Sequence, residues 1–551
     1  MIGVQALEAE DRVIAEFFEL FKIPWEFYRS GVPYDLVICS SRNMEQNSAR
    51  VIVLYSSEAT QFDDKTRGKL GSHSNVQLSY FGNLIPIYGR CLSFAGEANP
   101  LQIANGCGSA AREIQSGSQT IVRIGYDLFQ EVGHLLQTGQ PAVFGRFPTL
   151  ELHIDYLRNL IVGHGITLFE IPPTPHGYNF TVCLTHDVDH FGIQNHCCDH
   201  TMLGFLGRAV FGSVVDLLRG KKAIRHIAAN WWAVLSLPGV YLGIQKDFWQ
   251  QLDRYVEIEK GLRSTFFILP QSDNPGRRVV GRVSKRRGAK YNLSQLRDQL
   301  LTLRQAGCEI GLHGIDAWVD EEKGRQELER IRDEINGLEV GVRMHWLYLD
   351  ETSPQLLEKA GFSYDSTVGY NETVGYRAGT TQVFKPLNVG WLLELPMHVM
   401  DTALFYPAYM NLSPNEPSAI VDELVTNTQR FGGVLTVNWH DRSIAPERLW
   451  NGFYTGLLGN LRKRRAWFAT AGDATAWFRK RRETVFESVS AEAGAAQLRV
   501  APNPKDRALP GLKLRVCKPS SHPTNGAAGD RAEKQILDFP LENPGFVNVT
   551  I

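Results

Sequence analysis

The 551 residues hold no Gly-rich phosphate loop, no internal repeat and no CxxC pair. The first absence removes the usual sequence signal for a nucleotide cradle. Without CxxC, the eight cysteines lack the spacing of a zinc ribbon or a redox couple. Cys197 and Cys198 are adjacent, which is poor geometry for a mutual disulfide, and scattered cysteines suit a reducing compartment. Charge of either sign is not in excess: 58 Lys plus Arg stand against 59 Asp plus Glu. That balance gives no global electrostatic argument for a nucleic-acid or membrane partner. The opening MIGVQALEAEDRVIAEFFELF carries acids where an export signal carries Lys or Arg. No run reaches the roughly 18 consecutive apolar residues of a spanning helix. A cytoplasmic protein is therefore expected. The longest apolar candidate, 230-NWWAVLSLPGVYLG-243, is short and contains Pro238. It reads as a buried or interfacial helix pair, with membrane-surface contact the lesser alternative.

What is present is ordinary in bulk and informative in order. Hydrophobic residues make up 43% and charged residues 21%, as in a globular protein, and the length predicts two or three domains. Residues 1–175 read as an N-terminal α/β domain. It has strand-like 35-DLVICS-40 and 51-VIVLYSS-57, then helical patterning over 121–139 and 151–165. The Pro- and Gly-rich 171-IPPTPHGYNF-180 reads as a linker. From 176 to 484, apolar strands (180–187, 264–270, 308–314, 392–399, 433–440) alternate with amphipathic helices (293–307, 322–337, 416–432). This alternation predicts an α/β domain with a largely parallel sheet. The Trp- and Leu-dense stretch 194–250 interrupts it as an insertion, and 485–551 reads as a small C-terminal β module.

Several of these strands end in His or Asp, and active sites of such sheets gather at carboxyl ends of strands. The densest example is 185-THDVDHF-191. A solvated polar turn would explain it alone. In a strand, however, residues i and i+2 point the same way, so Asp187 and Asp189 face one cavity. His186 then points away as a structural residue, and His190 reads as a neighbour of the site and not a ligand.

The ordered set 185-THDVD-189, 265-TFF-267, 311-GLHG-314, 343-RMHW-346 and 436-TVNWHD-441 resembles the polysaccharide deacetylase (NodB homology, carbohydrate esterase family 4) family over about 180–480. The resemblance implies a distorted (β/α)7 TIM-like barrel and a metal-dependent hydrolase, with zinc as the divalent metal. Its substrate would be a carbohydrate that loses N-acetyl or O-acetyl groups. It also implies roles: Asp187 as base, Asp189 and His313 as metal ligands, Arg343 as the residue that orients the catalytic Asp, and His440 as proton donor. Asp365, in 365-DST-367, resembles the carboxylate that tunes this His. These types suit the chemistry, because a metal on an Asp/His platform activates water while a carboxylate and an imidazole handle the protons. The chain departs from the pattern at Ala317, where H-x-x-x-H requires the second imidazole. Asp316, His345 or water could take that place. His345 is preferred, because an imidazole where the family keeps Pro looks compensatory; a hydrogen-bonded filler beside Trp346 is the rival reading.

Two alternatives stand beside the deacetylase: a degenerate glycan-binding protein, motivated by Ala317, and the same fold acting on a small non-sugar amide. The cluster 196-HCCDH-200 offers four zinc-ligand types, but neighbouring residues of one turn cannot all converge on a tetrahedron. The 103-IANGCGSA-110 and 114-IQSG-117 segments have no His/Asp order to support a nucleophile. Basic runs 283-VSKRRGAK-290 and 462-RKRR-465 read as solvated faces, with the holding of an anionic glycan or lipid phosphate as the alternative.

Overall fold

The computed structural model describes residues 1–40, 49–63, 70–95, 99–106, 108–220, 222–277, 284, 287–335, 337, 339–413, 416–490, 494–504, 507–519, 534–541 and 543–550. The chain divides into two compact units. One comprises Met1–Gly177, Tyr376–Leu387 and Ala476–Ile551; the other comprises Tyr178–Gly375 and Asn388–Thr475. The tail residues 485–551 fall within the first unit. Its strand Leu512–Pro519 pairs antiparallel with Leu168–Glu170 and with Lys534–Leu541, inside the same unit as the N-terminal residues.

The first unit is built on a six-stranded sheet, ordered Trp25–Phe27, Ile2–Gln5, Leu36–Cys39, Val51–Tyr55, Gln119–Ile124 and Ala111–Ser116. The helical expectation over 121–139 holds only for its second half. Gln119–Ile124 is a strand, and the helix Leu128–Gln137 starts where Asp127 caps it, accepting from the Phe129 and Gln130 amides. The β-branched 120-TIV-122 favours the pleated sheet locally, and a cap decides the boundary.

Seven strands of the second unit form one parallel sheet. In order they are Val342–Met344, Glu309–Gly314, Ser264–Ile268, Phe180–Val188, Val434–Asn438 and Val399–Met400, with Ala466–Phe468 pairing beside the start of Phe180–Val188. Strands covered on both faces read as continuous apolar runs. Every residue of Phe180–Val188 is buried, His186 and Asp187 included. Beyond Val342, pairing continues through single parallel bridges, Val342↔Asp365 and Asp365↔Glu394, and Val399 then pairs with Val437. The sheet is thus curled on itself. The expected strand over 392–399 survives only as this bridge and the short Val399–Met400.

The insertion forms a helical hairpin. A continuous helical stretch over 200–218 is followed by the single helix Ile224–Tyr241, with Pro238 inside it, where a helix pair was expected. By length and composition His200–Leu218 could cross a membrane, although its sequence is not an unbroken apolar run. Cys91, Cys183, Cys197, Cys198 and Cys308 are free, and Cys107 lies outside the described residues.

The curl carries a buried acid pair. Asp365 and Glu394 hydrogen-bond to each other, and Glu394 accepts from the Val368 amide at 2.8 Å. Burial, reinforced by the neighbouring Asp365 charge, raises Glu394 well above the carboxylate range, and burial lifts Asp365 to about 6. Glu394 therefore holds a proton when folded and loses it when unfolded. Its contribution is present below the ordinary Glu range and is lost as pH rises through the folded value. Glu394→Gln keeps a donor towards Asp365 without that proton. Its melting temperature relative to wild type should rise between pH 5 and pH 8, measured in matched thermal melts; a pH-independent difference refutes the shared proton.

Candidate metal centre

Asp187 lies in the central strand and Asp189 one residue past its end, so both reach the carboxyl end of the sheet. His313 is the penultimate residue of Glu309–Gly314, which Ser264–Ile268 separates from the central strand, and His345 follows the strand Val342–Met344. Asp189, His313 and His345 offer ligand atoms all within 4.8 Å of one another, a group that could hold a metal ion. His313 Nε2 stands 3.4 Å and His345 Nε2 3.5 Å from Asp189 Oδ1.

The donor chemistry of this group fits a cation. His313 Nδ1 donates to the Arg343 carbonyl at 2.9 Å, which turns Nε2 towards Asp189. Burial pulls His345 down to about 3, so its ring is neutral, and its Nδ1 is buried without a partner. Asp189 Oδ1 is likewise buried and without a hydrogen bond. Buried polar atoms are rarely left so, and a bound cation would answer for this carboxylate oxygen.

Asp187 is held from both sides. Arg343 Nη1 donates to Oδ1 at 3.0 Å and Asn438 Nδ2 to Oδ2 at 2.8 Å. Burial works against its charge, but His313, Arg343 and His440 outweigh it and hold the carboxyl below its usual range. Arg343 is wholly buried, lies 4.5 Å over the Phe267 ring, and also donates to Thr185 Oγ1 and to Ser366 through its carbonyl and hydroxyl. Asn438 was not expected as a partner. The only signal for it was its place in 436-TVNWHD-441.

His440 sits across the cavity, Nε2 3.9 Å from Asp189 Oδ2. Its expected carboxylate partner, Asp365, is engaged instead with Glu394 and Thr367. The carboxylate beside His440 is Asp401, which accepts from Nδ1 at 2.6 Å and from the His440 amide at 2.7 Å. Burial opposes the imidazolium, yet Asp401 brings His440 up to about 9. Asp401 directly follows Val399–Met400, and 396-PMHVMD-401 gave no local cue that this acid meets that histidine.

Position 317 faces elsewhere. Ala317 is buried against Gly324, so near that a Cβ on the glycine would stand 3.2 Å from the alanine's. Asp316 is also occupied, by the Arg277 amide at 2.7 Å and Lys323 Nζ at 3.0 Å. His345 is instead brought in by a tight turn, with Trp346 and Leu347 at positive φ (64° and 54°). Left-handed backbone at non-glycine residues costs roughly 1–3 kcal/mol each and persists only where surroundings enforce it. Part of that support is Arg287, expected on a solvated face but buried. It donates to the carbonyls of His345, Ile315 and Pro275, and so satisfies backbone oxygens that burial would otherwise leave unpaired. Lys285 and Arg286 of the same run lie outside the described residues.

The remaining residues of the opening motif are engaged elsewhere. His186 bonds the Trp439 carbonyl through Nδ1 at 2.8 Å and lies 2.9 Å from Glu259 through Nε2. His190 packs against His196 and Trp249. In 196-HCCDH-200, Asp199 caps the helix from His200 and pairs with His196 at 2.8 Å. The metal-ligand candidates open onto a cavity of about 440 Å³ whose lining includes Asp187, Asp189, His313, His345, His440, Trp346, Tyr406 and Tyr409.

No family model and no curated protein matches the chain. Among solved structures it is similar to a protein from Mycobacterium smegmatis assigned as a polysaccharide deacetylase. That match has 18% identity, 56% of this chain and 94% of that one covered, and a TM-score of 0.34. The carbohydrate deacetylase Agd3 aligns over 99% of both chains at 8% identity and a TM-score of 0.35. Puue allantoinase is 13% identical, with 55% and 92% covered and a TM-score of 0.32.

Proposed function

We propose that this chain is a metal-dependent hydrolase that removes acetyl groups from an N-acetylated, or O-acetylated, carbohydrate. One observation carries the reading: a carboxylate and two imidazoles able to hold a cation lie within 4 Å of both Asp187, held below its usual range, and His440, raised above its own. Asp189, His313 and His345 would hold the metal, with zinc matching the mixed N/O set. A metal bound there supplies Lewis acidity and lowers the pKa of water.

The chain's own groups do the rest. Asp187, kept anionic by Arg343 and Asn438, accepts the proton of the attacking water. His440 has its Nδ1 proton fixed on Asp401, so its Nε2 proton faces the cavity for the departing amine or alkoxide. Exposed faces of Trp346, Tyr406 and Tyr409 on the cavity wall offer the stacking surface that a sugar ring uses. The binding-only alternative drew on the missing imidazole at 317, and His345 offers a substitute for it.

With added zinc or cobalt, purified protein should release acetate from N-acetylated oligosaccharides, and Asp187→Asn should lose about 100-fold or more of kcat. Equal rates for the two proteins eliminate the base assignment, and no release from any acetylated sugar, with hydrolysis of small cyclic amides instead, favours the other substrate class. His345→Ala should weaken cobalt binding by more than the ~10–100-fold typical of outer-shell changes, followed by visible absorption. Unchanged affinity removes His345 from the ligand set. Asp401→Asn should lower kcat on acetamides by about 10–100-fold while sparing aryl acetates, whose leaving group needs no proton. Equal losses on both substrates argue against an acid role for His440.

A further inference from the structure

The insertion exposes the wrong face for a protein surrounded by water. Along Ile224–Tyr241 and just beyond it, the exposed positions step by three and four residues through Ile224, Ala228, Trp231, Leu235, Pro238 and Leu242, with Trp232 alongside. Apart from Arg225 at its start, that solvent stripe is apolar, and Trp232 and Leu235 are 70% and 74% exposed. The preceding stretch does the same through Leu203, Phe211, Val214, Val215 and Leu218, Phe211 and Leu218 being 75% and 82% exposed. Both helices also bury apolar residues inward, among them Phe205, Ala209, Ala233, Leu237 and Val240 in one cluster with Trp249. Helices apolar all round are normally covered on every side.

Charge identifies the cover. Residues 200–246 hold six Lys or Arg and a single acid, Asp216, and two of those cations, Arg219 and Arg225, are exposed at or beside the hairpin turn, where Lys222 is paired with Asp216 at 3.3 Å. Anionic headgroups match these cations, and paired Trp side chains suit the boundary between headgroup and acyl chain. Arg208, in the middle of the 200–218 stretch, is tied to Glu447 at 3.2 Å, and Lys222 donates to the Glu447 carbonyl at 2.6 Å. These ties hold the helix along the body of its unit and oppose insertion across a bilayer.

We propose that this hairpin docks the protein on an anionic bilayer surface, its apolar face at the headgroup boundary and its basic turn against the acidic lipids. The docked helix also lines the metal-centre cavity through His200, Thr201, Gly204 and Arg208. Flotation of the full chain with vesicles provides the test. Wild type should float with phosphatidylcholine vesicles containing phosphatidylglycerol, far less with phosphatidylcholine alone, and should be released by alkaline carbonate. Trp232→Glu with Leu235→Glu should lose binding by about tenfold or more, and Phe211→Glu alone should weaken it, because charged groups resist burial among acyl chains. Arg219→Glu with Arg225→Glu should erase the preference for phosphatidylglycerol. Thermal melts equal to wild type separate lost binding from lost folding. The proposal is overturned if wild type stays below the vesicles, if the glutamate variants float equally, if carbonate fails to release it, or if the same face instead forms a dimer in solution.

Discussion

The second unit depends on a buried guanidinium. Asp187 sits in a strand covered on both faces, where an unpaired carboxylate would be costly. Arg343 resolves that cost by giving its donors to Asp187, Thr185 and Ser366 at once. It thereby links the central strand to the edge strand on which it lies and to the bridge segment beyond. The same residue fixes the site's electrostatics, since its carbonyl receives His313 Nδ1 and so sets that ring's tautomer. One side chain and its own backbone oxygen thus orient two of the groups that face the cavity.

The opposite wall rests on Asp401. It holds both the backbone amide and the imidazole of His440, so the ring is fixed in position and charge by one buried carboxylate. Near these two arrangements lie Asp189, His313 and His345, and the buried Asp189 Oδ1, left without a hydrogen bond, is what makes the cluster suited to a cation. The chemistry proposed for it follows from the contrast in protonation across a few ångströms: an anionic acceptor on one side and a cationic donor on the other.

Much of the site could be read in the sequence because it lies at strand ends. Asp187, Asp189, His313, Arg343 and His440 each sit at or just past the carboxyl end of an apolar run, and strand alternation already places Asp187 and Asp189 on one side. His345 was suggested by its occurrence where a nonpolar residue was expected. Asp401, Asn438 and Arg287 were not legible, because their roles are long-range: Asp401 and His440 are 39 residues apart, and Arg287 and His345 are 58 apart. Asp365 misled because a buried acid beside a turn looks the same in sequence whether it meets a histidine or another acid.

The sequence by itself determined the alternation of strand and helix, the apolar runs that must be buried on both faces, and which ionisable residues fall at their ends. Those are local properties, set by periodicity and side-chain volume. Only the tertiary structure decided which carboxylate faces which imidazole, that Arg287 leaves the solvent, that the tail joins the first unit, and that the insertion turns an apolar stripe outward. Partner choice in a parallel sheet is made by strands distant along the chain, and helix orientation by what packs beneath it. Neither leaves a mark at the residue itself.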